Sequence, residues 1–202
     1  MHDGSESLAS FLDAVAARQP TPGGGAVAAV TGALACAIGE MALNYSVDKK
    51  ELSAHRDVLS DALAHLARAR ALLLRLLVED QEAYTAMTAA RKSGDPAATQ
   101  AALLAAIRVP QAIAATGAAV LEQAERVAPV ANRWLLSDLA VAVELAMATV
   151  RCGAHNVRVN LGQLPDATDA RKFLEWCDDI IARAVQRACR VMPEVWRRIE
   201  AP

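Results

Sequence analysis

Between Gln19 and Ser46 the chain reads QPTPGGGAVAAVTGALACAIGEMALNYS, two prolines and three consecutive glycines giving way to a long run of small residues. Proline inside a helix forfeits a hydrogen bond, and glycine carries the largest backbone-entropy cost there. The pattern therefore predicts a loop that ends near Gly25 and a helix that begins just after it. The first N–H groups of such a helix have no internal partners. With no side chains on the glycines, an anion or a polar ring can approach them closely. Further along, Gly25, Ala29, Ala33 and Ala37 fall four residues apart, as do Ala28, Gly32 and Cys36. Two small faces on one helix admit other backbones on both sides, which places this helix at the centre of the fold.

Three other readings of the stretch fail. Gly23, Gly25 and Ala28 satisfy a dinucleotide-type G-x-G-x-x-A, but that motif has meaning only after a strand, and here it follows the helical ESLASFLDAVAAR. No Gly-Lys-Ser/Thr is present for a nucleotide P-loop. Gln19 to Gly39 carries no formal charge, yet Ala and Gly dominate it rather than Leu and Ile, which argues against a membrane span. Composition points the same way. Of 202 residues, 54% are hydrophobic and only 3% aromatic, a mixture suited to helices packed through small side chains. One domain spanning 1–202 is expected, as an all-α, antiparallel bundle of five to eight helices around the Ala/Gly-rich one. A net charge of −2 gives no bulk reason to expect nucleic-acid or membrane partners. Cys36, Cys152, Cys177 and Cys189 form no C-x-x-C pair and read as buried, reduced thiols of a cytoplasmic protein. The opening MHDGSES is acidic where an export signal would be basic and then apolar.

Taken in order, Glu6 to Arg18 has Leu8, Phe11, Leu12 and Val15 on one helical face. The central helix runs from about Ala26 to Ser46, VDKK breaks the pattern, and a second long helix spans Leu52 to about Arg91. Within it ALLLRLLV is apolar nearly all round, which predicts burial among several neighbours. Asp95 and Pro96 mark a helix start as N-cap and first residue. Pro110 is expected to kink or break that helix. Trp134 to Val159 forms another, Asp166 caps a turn, and Arg171 to Glu200 is the last.

Chemistry is sought where polar residues interrupt apolar patterns. Asp80 directly follows ALLLRLLV, with Tyr84 one turn further on the same face. Asn44, Lys49 and Lys50 lie at the end of the central helix. Asp138 follows Ser137 near the start of an apolar helix, and Asn156 and Asn160 are four apart and face one way. Each also has a structural reading: a solvated lysine turn, a helix cap at Ser137-Asp138, amides that satisfy buried carbonyls, and an Asp80 held by a salt bridge. His2, His55, His65 and His155 show no metal-ligand spacing, and no Gly-x-Ser-x-Gly elbow exists. A metal-dependent or covalent mechanism is disfavoured.

PTPGGGAVAAVTGAL, followed by EMALN, resembles the signature of the formimidoyltetrahydrofolate cyclodeaminase and methenyltetrahydrofolate cyclohydrolase family. The resemblance continues through VEDQEAYTAM, VPQAIA, SDLAVA and HNVRVNL, most of the chain. It implies an enzyme acting on the carbon that bridges N5 and N10 of tetrahydrofolate. A cyclodeaminase closes the ring with loss of ammonia, and a cyclohydrolase opens the methenyl ring with water. Both pass through a tetrahedral N–C–N centre and need proton donors and acceptors but no metal or redox cofactor. On this resemblance Asp80 and Lys49 are the expected catalytic residues. Pro22, Gly23, Gly24, Gly25, Asn44, Lys50, Asp138, Asn156 and Asn160 are the expected substrate contacts. The resemblance also implies a homodimer with its pocket near the subunit boundary. A polyglutamate tail would be met by Lys49, Lys50, Arg133 and Arg158, whereas Arg91-Lys92 reads as a helix C-terminus that favours cations anyway. The chain departs from the family pattern at Tyr45, Asp48 and Val130 to Trp134, where bulky residues would reshape the pocket rim. A helical folate-binding or scaffold paralogue without catalysis is the alternative.

Overall fold

The structure is a computed structural model that describes residues 7–200; His2 and most of the opening acidic segment lie outside the described residues. Within them the chain forms six α-helices: α1 (Leu8–Ala16), α2 (Gly24–Val47), α3 (Arg56–Ser93), α4 (Pro96–Val127), α5 (Leu136–Leu161) and α6 (Ala167–Glu200). Two 3-10 turns, Lys50–His55 and Arg133–Leu135, precede α3 and α5. No strand occurs among the described residues, and the all-α bundle is as expected. The caps are as read from sequence. Asp95 Oδ1 accepts from the Ala97 N–H at 2.9 Å with Pro96 as the first residue of α4, and Asp166 Oδ1 accepts from Thr168 at 2.7 Å.

The central helix starts earlier than its glycines suggest. Gly23 is the N-cap, and Gly24 and Gly25 form the first turn of α2. The reason lies across the interface with α3. Three glycines of α2, seven residues apart, each receive one side chain of α3 at the same spacing in reverse order. A Cβ on Gly39 would lie 2.9 Å from a Leu66 methyl, one on Gly32 2.9 Å from a Leu73 methyl, and one on Gly25 1.9 Å from Asp80 Oδ1. The two helices are therefore antiparallel and meet along a glycine seam, in which Asp80 takes the place where a third leucine would fit. Leu73 and Leu66 are buried there, each contributing about 2 kcal/mol through apolar burial. On the other side of α2 the same glycines face α5. Thr149 lies between Gly32 and Gly117 of α4, and the Asn156 amide lies over Gly24, so α5 also runs antiparallel to α2. Leu73, Leu76 and Leu77 are buried as predicted, but Arg75 on the same run is exposed.

Two further expectations are refined. Of the kink or break expected at Pro110, the break does not occur, since α4 runs through it. A proline at 110 removes the N–H that would reach the Ala106 carbonyl, and Asn160 Nδ2 from α5 donates to that carbonyl instead, at 3.0 Å. Gly153 lets α5 approach closely enough for this, since a Cβ there would lie 2.8 Å from the Pro110 carbonyl oxygen. The cysteines are all free, but only Cys36 and Cys177 are buried, whereas Cys152 and Cys189 lie on outer helix faces. Burial beside Glu40 pushes the Cys36 thiol up to about 12, which keeps it protonated and inert. By length and composition α2 and α4 are apolar enough to cross a membrane, and both are packed in the bundle.

Candidate active site

Where α2 begins, the seam opens into a cleft of about 360 Å³. Its floor is the Gly23–Gly25 turn with Pro20 and Thr21 beside it. One wall is α3, through Asp80, Tyr84, Met87 and Arg91; the others come from Ala106 and Pro110 of α4 and Asn156, Asn160 and Gln163 of α5. The α3 residues fall at helical steps along one face, so one straight helix presents them in line.

Asp80 is the chemical centre of this cleft. Its carboxylate occupies the space above Gly25 and accepts from the Ala26 N–H, an orphan donor of the first turn of α2. Gly23 supplies no side-chain cap of its own, so Asp80 caps α2 from another helix. Removal from water raises its pKa, and the Ala26 hydrogen bond opposes that rise without cancelling it. Among the described residues no cation pairs with Asp80, so the salt-bridge reading of this residue fails. A half-buried carboxyl with a raised pKa, open to a cleft, is equipped to give and take protons.

The two asparagines flank it with different duties. Asn156 Nδ2 donates to the Cys152 carbonyl at 2.8 Å, which leaves its Oδ1 beside Gly24. Asn160 Nδ2 is shared between the Ala106 and Asn156 carbonyls, both at 3.0 Å, and so serves the helix as well as the cleft wall. Pro22 is buried and does not line the cleft.

The remaining expected site residues lie elsewhere in the chain. Asn44 stands near the C-terminal end of α2, roughly 28 Å of helix away from Gly25, and Lys49 and Lys50 lie just beyond that end. There Lys49, with Tyr45 and Ser46, holds Asn132, a buried residue that sequence reasoning treated only as part of an altered rim. Its N–H donates to Ser46 Oγ at 3.0 Å, its Nδ2 to the Tyr45 carbonyl at 3.0 Å, and its Oδ1 accepts from Lys49 Nζ at 3.2 Å. Asp138 belongs to the first turn of α5, at this same end. A single chain thus brings Asp80 together with Gly23, Gly24, Gly25, Asn156 and Asn160, and does not bring Lys49 to Asp80. Sequence reasoning missed Met87, Arg91 and Gln163 as cleft residues. The helical step from Asp80 carries the signal for the first two, and only the fold reveals the third. Among the described residues no three His, Cys, Asp or Glu side chains are disposed to hold a metal ion.

A model of the formiminotransferase-cyclodeaminase family matches residues 7–179. The chain belongs to that family. It is 34% identical over 190 residues to a methenyltetrahydrofolate cyclohydrolase of Methylorubrum extorquens, covering 90% of this chain and 91% of that one. It is 28% identical over 204 residues to the formimidoyltransferase-cyclodeaminase of Rattus norvegicus, where it spans 96% of its own length but 38% of the relative. Its fold is similar to the crystal structure of a formiminotetrahydrofolate cyclodeaminase from Thermotoga maritima, with a TM-score of 0.90 at 32% identity, covering 96% of this chain and 97% of that one. Membership of the family accounts for the PTPGGG-to-helix signature and for an all-α bundle.

Proposed function

We propose that this chain is a folate one-carbon enzyme acting on the carbon between N5 and N10 of tetrahydrofolate, as methenyltetrahydrofolate cyclohydrolase or formimidoyltetrahydrofolate cyclodeaminase. The observation that carries the proposal is Asp80, a desolvated carboxyl at the glycine turn of a cleft that relatives of both activities are expected to share. In the hydrolytic direction Asp80 removes a proton from the water that adds to the methenyl carbon. It returns that proton to N5 as the C–N5 bond breaks, and the proton left on the carbinol oxygen passes to solvent, which discharges the methenyl cation's positive charge and leaves the formyl group on N10. In the deaminating direction it takes the proton of N10 as that nitrogen attacks the formimidoyl carbon and delivers it to the departing ammonia. Either way the carboxyl ends in its starting state, and a pKa raised by burial suits both halves of the exchange. Asn156 and Asn160 offer amides to the pterin edge, and the turn at Gly23–Gly25 lets the ring approach the α2 backbone.

Lys49 enters this site through a second copy. The outer face of α2 is unusually apolar for an uncovered surface. Mean hydropathy over its most apolar stretch is 1.8, only 56% of that stretch is buried within the chain, and Leu34 and Tyr45 are 50% and 65% exposed. Val141 of the neighbouring α5 is 49% exposed as well. A homodimer in which two α2 helices cross antiparallel would cover this face. A two-fold axis near residue 35, the midpoint of α2, sets residue 45 of one copy beside residue 25 of the other. Asn44, Lys49, Lys50 and Asp138 of one subunit then close the cleft of its partner.

The decisive experiment follows methenyl absorbance with formimidoyl- and methenyltetrahydrofolate as substrates. Growth of the signal from the first identifies a cyclodeaminase, and accelerated loss from the second a cyclohydrolase. Asp80→Asn should keep the fold while lowering turnover about 100-fold, the scale of a lost general acid or base. Turnover within a few-fold of the wild type would refute the assignment, and a wild-type chain inert toward both substrates would favour the non-catalytic paralogue.

A further inference from the structure

Between α4 and α5 the chain turns through residues 128–132, and the N–H groups of this turn are used close by. Ala128 donates to the Ala124 carbonyl, Val130 and Ala131 both donate to that of Val127, and Pro129 has no N–H to give. The carbonyls of Ala128 and Ala131 are left over, on residues that are each 1% exposed. They stand where α4 ends, at the negative end of its peptide dipoles, and buried carbonyls there need a donor. Arg198 of α6 supplies both. Its Nη1 donates to Ala128 and its Nη2 to Ala131 at 2.8 Å, so one planar fork spans the turn. Val195 and Val191, one and two helical turns back, are buried in the core and fix the helix from which Arg198 reaches. Burial lowers the Arg198 pKa from its ordinary value, so the two carbonyls must offset the water the guanidinium has given up.

The residue that follows this turn into the next helix is Asn132. Its Oδ1 accepts from both Lys49 Nζ and the Trp134 N–H, each at 3.2 Å. Its own N–H and Nδ2 are tied to Ser46 and Tyr45, so the amide cannot swing. Among the described residues no carboxylate pairs with Lys49. A lysine ammonium on four rotatable carbons takes a fixed place only when something holds it, and here the holder is Asn132.

Contacts therefore run unbroken from Arg198, through the carbonyls of Ala128 and Ala131 and the amide of Asn132, to the Lys49 ammonium. Building on the reading of Lys49 as a group that acts in the partner's cleft, we infer that Arg198 is a positioning residue for the reaction. It touches no substrate; it sets Lys49 by holding the turn that carries Asn132. The clasp lies beyond residue 179, where the match to the family ends. Without the fork, two buried carbonyls are bare, and the turn satisfies them only by moving toward water. Asn132 moves with it, and a displacement of about 1 Å at a reacting group costs on the order of 100-fold in rate.

The test is a double-mutant cycle on the full chain, read as kcat and KM by methenyl absorbance and as Tm. Arg198→Met keeps the apolar stem and removes the fork. It should lower kcat by about 30-fold and leave KM within about threefold. Its Tm should fall by about 5 °C. Lys49→Met alone should lower kcat by about 100-fold. Added to Lys49→Met, Arg198→Met should change kcat by less than about 2-fold, while the Tm loss recurs. An Arg198 that serves stability alone would lower kcat by one factor in both backgrounds, or in neither, and either result overturns the inference. Arg198→Lys keeps the charge and reaches one carbonyl of the two. It should lower kcat by about 5-fold, and it decides the same cycle should Arg198→Met fail to fold. Competitive acetylation reads Lys49 without substrate, against Lys172 as reference, which lies roughly 39 Å from Arg198 along α6. Released from Asn132, the Lys49 amine should react about 3-fold faster in Arg198→Met than in the wild type. An unchanged rate overturns the inference as well. A wild type inert toward both folates defeats the functional reading instead, and acetylation then decides alone whether Arg198 holds Lys49.

Discussion

Gly25→Ala is the sharpest single perturbation of this site, because it displaces the reacting group without touching it chemically. The added methyl would sit 1.9 Å from Asp80 Oδ1 and 2.5 Å from its Cγ. Real contacts of this kind stop near 3.0 Å, so the carboxylate must retreat by at least about 1.1 Å. That movement takes it off the Ala26 N–H, a loss of about 1 kcal/mol, and strains its rotamer by a further 0.5–1.5 kcal/mol or so. Replacing glycine within a helix returns up to about 1 kcal/mol. Net stability therefore falls by only about 1 kcal/mol, readable as a small shift of the urea midpoint. Turnover suffers more, since a misplacement of about 1 Å costs on the order of 100-fold, equivalent to about 2.7 kcal/mol in the barrier. Gly39→Ala is the control from the same seam. Its methyl meets a Leu66 methyl at 2.9 Å, the far end of a flexible side chain, and the cleft is distant. That variant should match the wild type in turnover. Methenyl absorbance and urea unfolding on the two proteins decide the matter. A folded Gly25→Ala with turnover within threefold of the wild type would refute the assignment of Asp80.

Three further outcomes are expected. Burial raises the Asp80 pKa, so the folded chain holds this proton more tightly than the unfolded one; the resulting stability is full below the ordinary carboxylate range and is lost as pH rises through the raised value. The wild type should thus lose stability relative to Asp80→Asn as pH rises above about 4, the ordinary carboxylate range, and a gap that stays constant in urea titrations would contradict the burial argument. Asn160→Ala should cost about 1–2 kcal/mol by leaving the Ala106 carbonyl bare, and less than about 0.5 kcal/mol when Pro110→Ala restores the backbone donor; equal costs in the two backgrounds would break the link. Inactive Asp80→Asn and Lys49→Met subunits, refolded together, should regain about a quarter of wild-type activity, since half the dimers would carry one intact site. No recovery would mean that Lys49 does not act across the subunit boundary.

What could be read from the sequence was local. The helix start at Asp95-Pro96 is written in adjacent residues and placed as read, and Asp166 caps as read, although α6 begins at once at Ala167 and not at Arg171. Asp80 could be singled out because it terminates an apolar run. Its partner could not, because the contact with Gly25 depends on how α3 is registered against α2. The Leu66, Leu73, Asp80 and Gly25, Gly32, Gly39 spacings carry that register, but only once the helices are known to be antiparallel neighbours. Lys49 looked close to Asp80 for want of any measure of where the two ends of a 24-residue helix go. A break at Pro110 stays among the sequence expectations because its rescuer, Asn160, is fifty residues away in sequence and adjacent only in space.

The glycine seam also limits how the chain can misassemble. Side chains and glycines that repeat every seven residues invite the two helices to slip by one repeat, since Leu73 would fit the Gly25 notch as readily as the Gly32 notch. Such a slip would carry Asp80 out of register with Gly25, the notch whose neighbour still has a free N–H to offer. Shifted the other way, it would be driven onto Gly32, deep in the bundle beside Thr149, where every backbone donor is already spent within a helix. A carboxyl there would be buried without a partner, at a cost of several kcal/mol. A single polar residue in a repeating apolar seam is how paired helices are held to one alignment. The residue given the chemistry is thus also the one that tells α3 where to stop.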